Sequence, residues 1–308
     1  MLPTFSLKES LLNRHLLRAK EWLFNLLTKN ASPLFMKGGD NISIAPWVQG
    51  VHEIRIKALI DSFAQQGYGD FLIDIGANIG LVSCQSGNGF KWVHMYEPNP
   101  DCCDILRVNS RIALHKCRTV LHQIGLGTVR EDAILNVPRH NWGGAFVHGH
   151  DNCYDEDQLA SKDGYEGFSL DNYMQVKIRL EPAVDELKSL FASLTNDGCR
   201  SGVVKIDVEG CEVSIMEAIA ETLPDDFRVM IVFEYFDQGF SPAGLLEKFG
   251  NRAEVMKLVR TPPKRTPRLK RLWRILCQGG YEYVLRPFSR SDSSSDIVLL
   301  VGPASRLD

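Results

Sequence analysis

Asp74-Ile-Gly76-Ala-Asn78-Ile-Gly80 follows an apolar run and stands where a helix should begin. Glycines at such a turn let a ligand approach the backbone, and the start of a helix presents unbonded N–H groups. The dinucleotide fingerprint G-x-G-x-x-G, which cradles a pyrophosphate, is missing; here an acid precedes a G-x-x-x-G spacing. Asp74 would repel a pyrophosphate and suit the cationic amino-acid end of a ligand. Glu97 ends a second apolar run 21 residues beyond Gly76, ahead of Pro98-Asn99-Pro100. A carboxylate at that point can accept hydrogen bonds from both hydroxyls of a ribose lying over the glycine loop. Asp74, Gly76, Gly80 and Glu97 together describe a pocket for S-adenosyl-L-methionine better than one for a nicotinamide dinucleotide.

Lys205-Ile-Asp207-Val-Glu209-Gly210 closes another apolar run, and Glu212 lies in the helix that follows. Ligands of open α/β sheets lie at the carboxyl ends of the strands, so Asp207 and Glu209 point toward the same pocket. A carboxylate there could take a proton from a substrate hydroxyl or help hold a cation, while Glu209 could equally complement a helix dipole. Glu234 ends the run Met230–Phe233, where a carboxylate is costly unless paired, and is a third candidate for the reaction centre. His140, His148 and His150 stand near Asp151, Cys153, Asp155 and Asp157. Their spacing matches no common metal site, so no metal ligand is assigned, and one of these histidines could serve instead as a base. No G-x-S-x-G elbow or Walker loop supports serine-hydrolase or P-loop chemistry.

The elements that must position these groups follow from hydropathy. FLIDIG (71–76), WVHMYE (92–97), TVLHQIG (119–125), VVKIDV (203–208) and MIVFEY (230–235) are near-continuous in apolar residues, as strands buried on both faces are. Helical stretches such as Cys102–Leu114 and Cys211–Thr222 fall between them, which predicts βαβ units and a mostly parallel sheet. The runs 281–288 and 296–302 read as a closing antiparallel pair. Residues 131–180 hold extended runs among Gly, Asn, Asp and His, and read as a β-rich insertion. Residues 7–29 space Leu12, Leu16, Leu23 and Leu27 as one face of an amphipathic helix, expected to pack on the core or a partner chain, or else on a membrane surface. The expected organisation is an N-terminal helical segment (1–45) and one catalytic domain (46–308), with the insertion at 131–180 and a basic segment at 255–280. Lys257, Arg260, Lys264, Arg265, Arg268, Lys270, Arg271 and Arg274 carry that basic charge, read as a solvated linker and helix face or as a site for an anionic partner. SRSDSSSD (289–296) reads as a polar loop.

Composition narrows the classes. The chain has 308 residues, 44% hydrophobic and 24% charged, enough for a full core, and a net charge of −3 argues against a nucleic-acid partner. No stretch is apolar for the length of a bilayer span, and the first thirty residues lack a signal-peptide core. Eight scattered cysteines without C-x-x-C pairs suit reduced thiols, hence an expected cytoplasmic location.

FLIDIGANIG, YEPNP, NWGGAFVH (141–148), VVKIDVEGCE (203–212) and IVFEY (231–235) together resemble the FkbM family of S-adenosylmethionine-dependent methyltransferases, over residues 50–240. Val184-Asp185 stands where that family usually has Leu-Asp. The resemblance implies a class I methyltransferase fold, α/β and Rossmann-like, with a mostly parallel seven-stranded sheet flanked by helices. It implies that Asp74, Gly76, Asn78 and Gly80 contact the methionine part and Glu97 the ribose. Adenine would lie near Asn99 and the loop after Gln123-Ile124-Gly125, with Ala77, Pro98 and Ile124 completing the cofactor set. Asp207, Glu209 and Glu234 would line the reaction centre. The implied reaction is transfer of a methyl group to oxygen: a hydroxyl of a sugar in a glycan or glycolipid, as in polysaccharide biosynthesis, or of a natural product. Mg2+ held by Asp207 and Glu209 is a lesser alternative. So are two other readings: an NAD(P)-dependent oxidoreductase, and a non-catalytic docking module that kept the fold. Peripheral membrane contact stays open, and the sequence does not indicate an oligomeric state.

Overall fold

The structure, a computed structural model, describes residues 11–148, 152, 158, 160–161, 164–234, 242–261, 282–288 and 297–303. Strand β1 (Phe71–Ile75) is buried at every position, as its unbroken apolar run requires. It pairs in parallel with β2 (Trp92–Tyr96) on one side and with β8 (Ser201–Ile206) on the other. Outside β2 lies β3 (Arg118–His122), and outside β8 lies β9 (Arg228–Phe233), both parallel. Three more strands complete the large sheet: β10 (Ala253–Thr261), β11 (Glu282–Pro287) and β12 (Ile297–Val301). The order is β11-β10-β12-β9-β8-β1-β2-β3, with β12 antiparallel to both β9 and β10.

Side chains alternate across this sheet and feed two cores. Phe71, Ile73, Ile75, Val204 and Ile206 pack with α6 (Ala183–Asn196) and α7 (Glu212–Thr222). Leu72, Val93, Met95 and Val203 pack with α3 (Ile54–Gln65) and with Leu106 of α5 (Pro100–Ala113). Asp74 and Lys205 are partners in the β1–β8 register.

Two sequence expectations for the chain end give way. Strands β11 and β12 are not paired with each other, because β10 lies between them and is antiparallel to both. Residues 257–261, read as linker or helix face, belong to that strand. Lys257 and Arg260 break its apolar run, yet Val255 and the pair Met256 and Leu258 reach the two opposite cores. The seven strands expected are present, β11 at the edge among them, and β10 is the unexpected eighth. The remaining basic residues at 264–274 and the polar run 289–296 lie outside the described residues.

The insertion forms a second sheet, ordered β4-β7-β5-β6: β4 (Gly125–Gly127), β7 (Tyr173–Pro182), β5 (Glu131–Pro138) and β6 (Phe146–Val147). TVLHQIG, read as one strand, is therefore divided between two sheets. Before the large sheet stand α1 (Leu11–Leu27) and α2 (Asn41–Gln49). The described apolar side chains of α1 do not pack on the core: Trp22 is 67% exposed and Leu26 56%.

Candidate active site

The glycine loop runs from β1 into α4 (Leu81–Ser86) and is held by main-chain bonds. Gly76 and Ala77 both donate their N–H to the carbonyl of Tyr96, at 3.0 Å. Gly76 has φ +80, and a Cβ there would lie 1.9 Å from the carbonyl oxygen of Asp207. Only glycine permits this approach of the β1 and β8 ends. Asn78 holds φ +50, the left-handed region that asparagine enters more readily than other residues with a side chain.

Glu97 is buried at the end of β2, 7% exposed. Its Oε2 accepts the N–H of Asn78 and its Oε1 the N–H of Asn99, each at 2.8 Å. Burial pushes its pKa up to about 7, against the pull of those two bonds. The carboxylate is thus fixed by main chain alone, and each oxygen retains lone-pair capacity for a ligand hydroxyl.

At the end of β8, Asp207 is 48% exposed in its side chain and accepts a hydrogen bond from Lys205 Nζ at 2.9 Å. The Lys205 ammonium is buried and also lies 3.4 Å from Asp74 Oδ1. Burial works against this ammonium, but Asp207, Asp74 and Glu53 outweigh it and raise its pKa. Asp74 itself is fully buried and accepts from the Ser83 hydroxyl. Lys205 therefore ties the acid of the glycine loop to the acid at the strand end, neutralising charges that burial alone would not tolerate. His52 stands beside this group, and burial together with Lys205 lowers its pKa to about 4, so it is neutral.

Between these strand ends and the second sheet lies a cavity of about 480 Å3, of the size that small-molecule sites have. Gly76, Asn78, Glu97 and Pro98 line it from the first sheet, with Asp207 and Glu209. Leu126, Leu135, Ile178 and Leu180 line it from the second sheet, and Trp142, Phe146 and His148 from the segment NWGGAFVH. The Phe146 ring lies edge-on to His148 and Tyr173, within an aromatic group that includes Phe168. Asn152 stitches the two halves: its Nδ2 donates to the carbonyls of Val147 and Glu209, each at 3.0 Å. Gly210, at φ +89, leaves room for this, since a Cβ there would meet Asn152 Oδ1 at 1.8 Å.

Of the residues expected at the site, Gly76, Asn78, Glu97, Pro98, Ile124, Asp207 and Glu209 line the cavity. Asp74, Ala77, Gly80 and Asn99 do not; they are the buried scaffold behind it. Asn99 caps α5, its Oδ1 accepting the N–H of Asp101, while Gly80, at φ +84, precedes α4. Glu234 is exposed after β9 and is not among the lining residues. Among the histidines, His148 lines the cavity and His140 does not, whereas His150, Asp151, Cys153, Asp155 and Asp157 lie outside the described residues. Among the described residues no group of His, Cys, Asp and Glu could hold a metal ion. Sequence reasoning missed Lys205, whose charge within an apolar strand was the available signal. It also missed Asn152, signalled only by the glycine at 210, and Glu53, whose left-handed backbone (φ +43) no sequence pattern announces.

A mostly parallel sheet in which β11 and β12 run against the rest, carrying an acid–glycine loop and a buried carboxylate at the carboxyl ends of its strands, is the class I methyltransferase fold. The profile of the methyltransferase FkbM domain matches residues 74–283, well over half of the chain. The chain belongs to that family. No curated protein matches it. Among solved structures it is similar to a precorrin 8W decarboxylase from Methanobacterium thermoautotrophicum (14% identity, 81% of this chain and 90% of that one, TM-score 0.38). It is also similar to a precorrin-6y C5,15-methyltransferase from Geobacter metallireducens GS-15 (13%, 80% and 87%, 0.37) and to a putative O-methyltransferase from Klebsiella pneumoniae (10%, 95% and 97%, 0.37). Strand order and family carry the assignment, not these distant likenesses. Among the described residues no helix is long and apolar enough to cross a membrane.

Proposed function

We propose that the chain is an S-adenosylmethionine-dependent O-methyltransferase acting on a hydroxyl of a sugar, in a glycan or glycolipid, or of a hydroxylated natural product. The observation that carries this reading is the placement of Asp207. It lies on the wall of the cavity next to Gly76, with one oxygen anchored by a buried ammonium. The bound cofactor would supply an electrophilic methyl on a sulfonium centre. Glu97 would accept the ribose hydroxyls, Pro98 and Ile124 would cover the adenine, and the loop Gly76–Asn78 would seat the methionine part. Asp207 would take the proton from the acceptor hydroxyl, whose oxygen gains the methyl as the methyl–sulfur bond of the cofactor is given up, and Lys205 holds the carboxylate in line. The second sheet excludes water and orients the acceptor, whose ring faces suit the aromatic group around Phe146. Placement of this activity in polysaccharide biosynthesis, and in the cytoplasm, follows the same reading. A role for Mg2+ finds no cluster of ligands among the described residues to support it.

The test is methyl transfer from labelled S-adenosylmethionine to hydroxylated glycans. Label should appear as a methyl ether, stable to mild alkali. Asp207→Asn, which keeps an acceptor for Lys205, should lower kcat by about 100-fold or more with cofactor affinity unchanged. Label on nitrogen, or full turnover by Asp207→Asn, contradicts the proposal.

A further inference from the structure

Exposed apolar side chains are concentrated in one part of this molecule. Ten of the fourteen large ones among the described residues lie between Leu16 and Ile54, and the other four are scattered. In α1, Leu16, Trp22, Leu23, Phe24, Leu26 and Leu27 are 49–67% exposed. At about 3.6 residues per turn, Leu16, Trp22, Leu23, Leu26 and Leu27 share one arc of the helix, with Arg18 at one edge, Lys20 at the other and Glu21 opposite. Phe24, on the flank of this arc beyond Lys20, links α1 to the next helix. Phe24 meets Trp47 edge-on at 6.4 Å, and Ile44 and Val48 of α2 are exposed beside it in sequence.

Charge indicates what covers this face. Residues 16–29 carry Arg18, Lys20 and Lys29 against the single acid Glu21, in a chain whose net charge is −3. Basic side chains flanking an apolar arc with an exposed tryptophan fit the interface of an anionic bilayer, where aliphatic stems lie along the apolar layer and cationic heads reach the phosphates. A second copy of this chain would bring the same cations together.

The platform is also fastened to the cavity. Asp40 Oδ1 accepts the N–H of Trp142 at 2.9 Å, the N–H of Asn41 donates to the His140 carbonyl at 3.2 Å, and Lys37 Nζ donates to the Arg139 carbonyl at 3.2 Å. Trp142 and Gly143, at the end of that segment, line the cavity. We infer that α1 and α2 form a docking surface for an anionic lipid bilayer, holding the cavity beside the membrane.

The test is co-sedimentation of the full chain with vesicles of phosphatidylcholine alone and of an equimolar mixture with phosphatidylglycerol. Binding is expected with the mixture only, weakened by salt. Leu23→Glu/Leu26→Glu and Arg18→Glu/Lys20→Glu should each reduce it at least about tenfold. Both variants change exposed side chains, so thermal unfolding and S-adenosylmethionine titration should match the parent and separate loss of docking from loss of fold. Failure of the parent chain to bind, or binding unaltered in Leu23→Glu/Leu26→Glu, overturns the inference. So does a dimer in analytical ultracentrifugation that this double variant dissolves while vesicles are ignored.

Discussion

On the first-sheet wall of the cavity the backbone does the holding. Glu97 is fixed by two main-chain amides, Gly76 by a carbonyl a Cβ would strike, and Asp207 by an ammonium inside the sheet. The second-sheet wall is different: apolar residues of β4, β5 and β7, an aromatic group around Phe146, and one bridging amide from Asn152. A group whose shape is constant is best met by geometry that cannot move. An acceptor that varies is met by side chains, which evolution can exchange without disturbing the sheet. The first wall should therefore fail abruptly when altered, and the second should change specificity.

Gly76→Ala should have the largest effect. Its Cβ has no space and its φ is left-handed, so cofactor titration should show no binding. Lys205→Ala comes next: it leaves buried Asp74 without its counter-ion and should lower stability by about 3 kcal/mol in urea denaturation. Glu97→Ala should weaken cofactor binding by roughly 2 kcal/mol, about 30-fold, with little change in unfolding midpoint.

The pH response is smaller and has a definite sign. In the proposed binding mode ribose hydroxyls would donate to the ionised form of Glu97, whose pKa of about 7 stands above its ordinary value of 4.5. Cofactor affinity should therefore fall as pH drops below about 7, by up to about tenfold per unit, and level off above it. The stability contribution runs the other way, because a raised carboxyl pKa favours the folded state at low pH and that gain is lost between 4.5 and about 7. In Glu97→Gln both dependences should flatten. His148→Ala, on the second wall, should move the cofactor Kd less than about twofold while raising KM for the acceptor. A large change in cofactor Kd there would erase the contrast between the walls.

The same contrast explains what the sequence disclosed. DIGANIG, Glu97 and KIDVEG announced the first wall, because an acid after an apolar strand and glycines at its end have few other uses there. Strand β10 was concealed by Lys257 and Arg260, although its neighbouring residues reach both cores. The pairing of β11 and β12 misread the chain end because β12 inserts between β9 and β10, a choice that local pattern does not encode. Asn99 and Glu234 were named by position, and neither lines the cavity. One is a buried helix cap and the other is exposed after β9. The second wall was visible only as a β-rich insertion, since it is built by shape and by contacts such as Asn152 to Glu209, made across 57 residues.

The most direct test is calorimetric titration of the parent chain, Glu97→Ala and His148→Ala with S-adenosylmethionine and its demethylated product, with NAD as control. Micromolar binding of the first two is expected, about −8 kcal/mol, weakened in Glu97→Ala, kept in His148→Ala, with no heat from NAD. Binding of NAD in their place, or binding indifferent to Glu97→Ala, would contradict it.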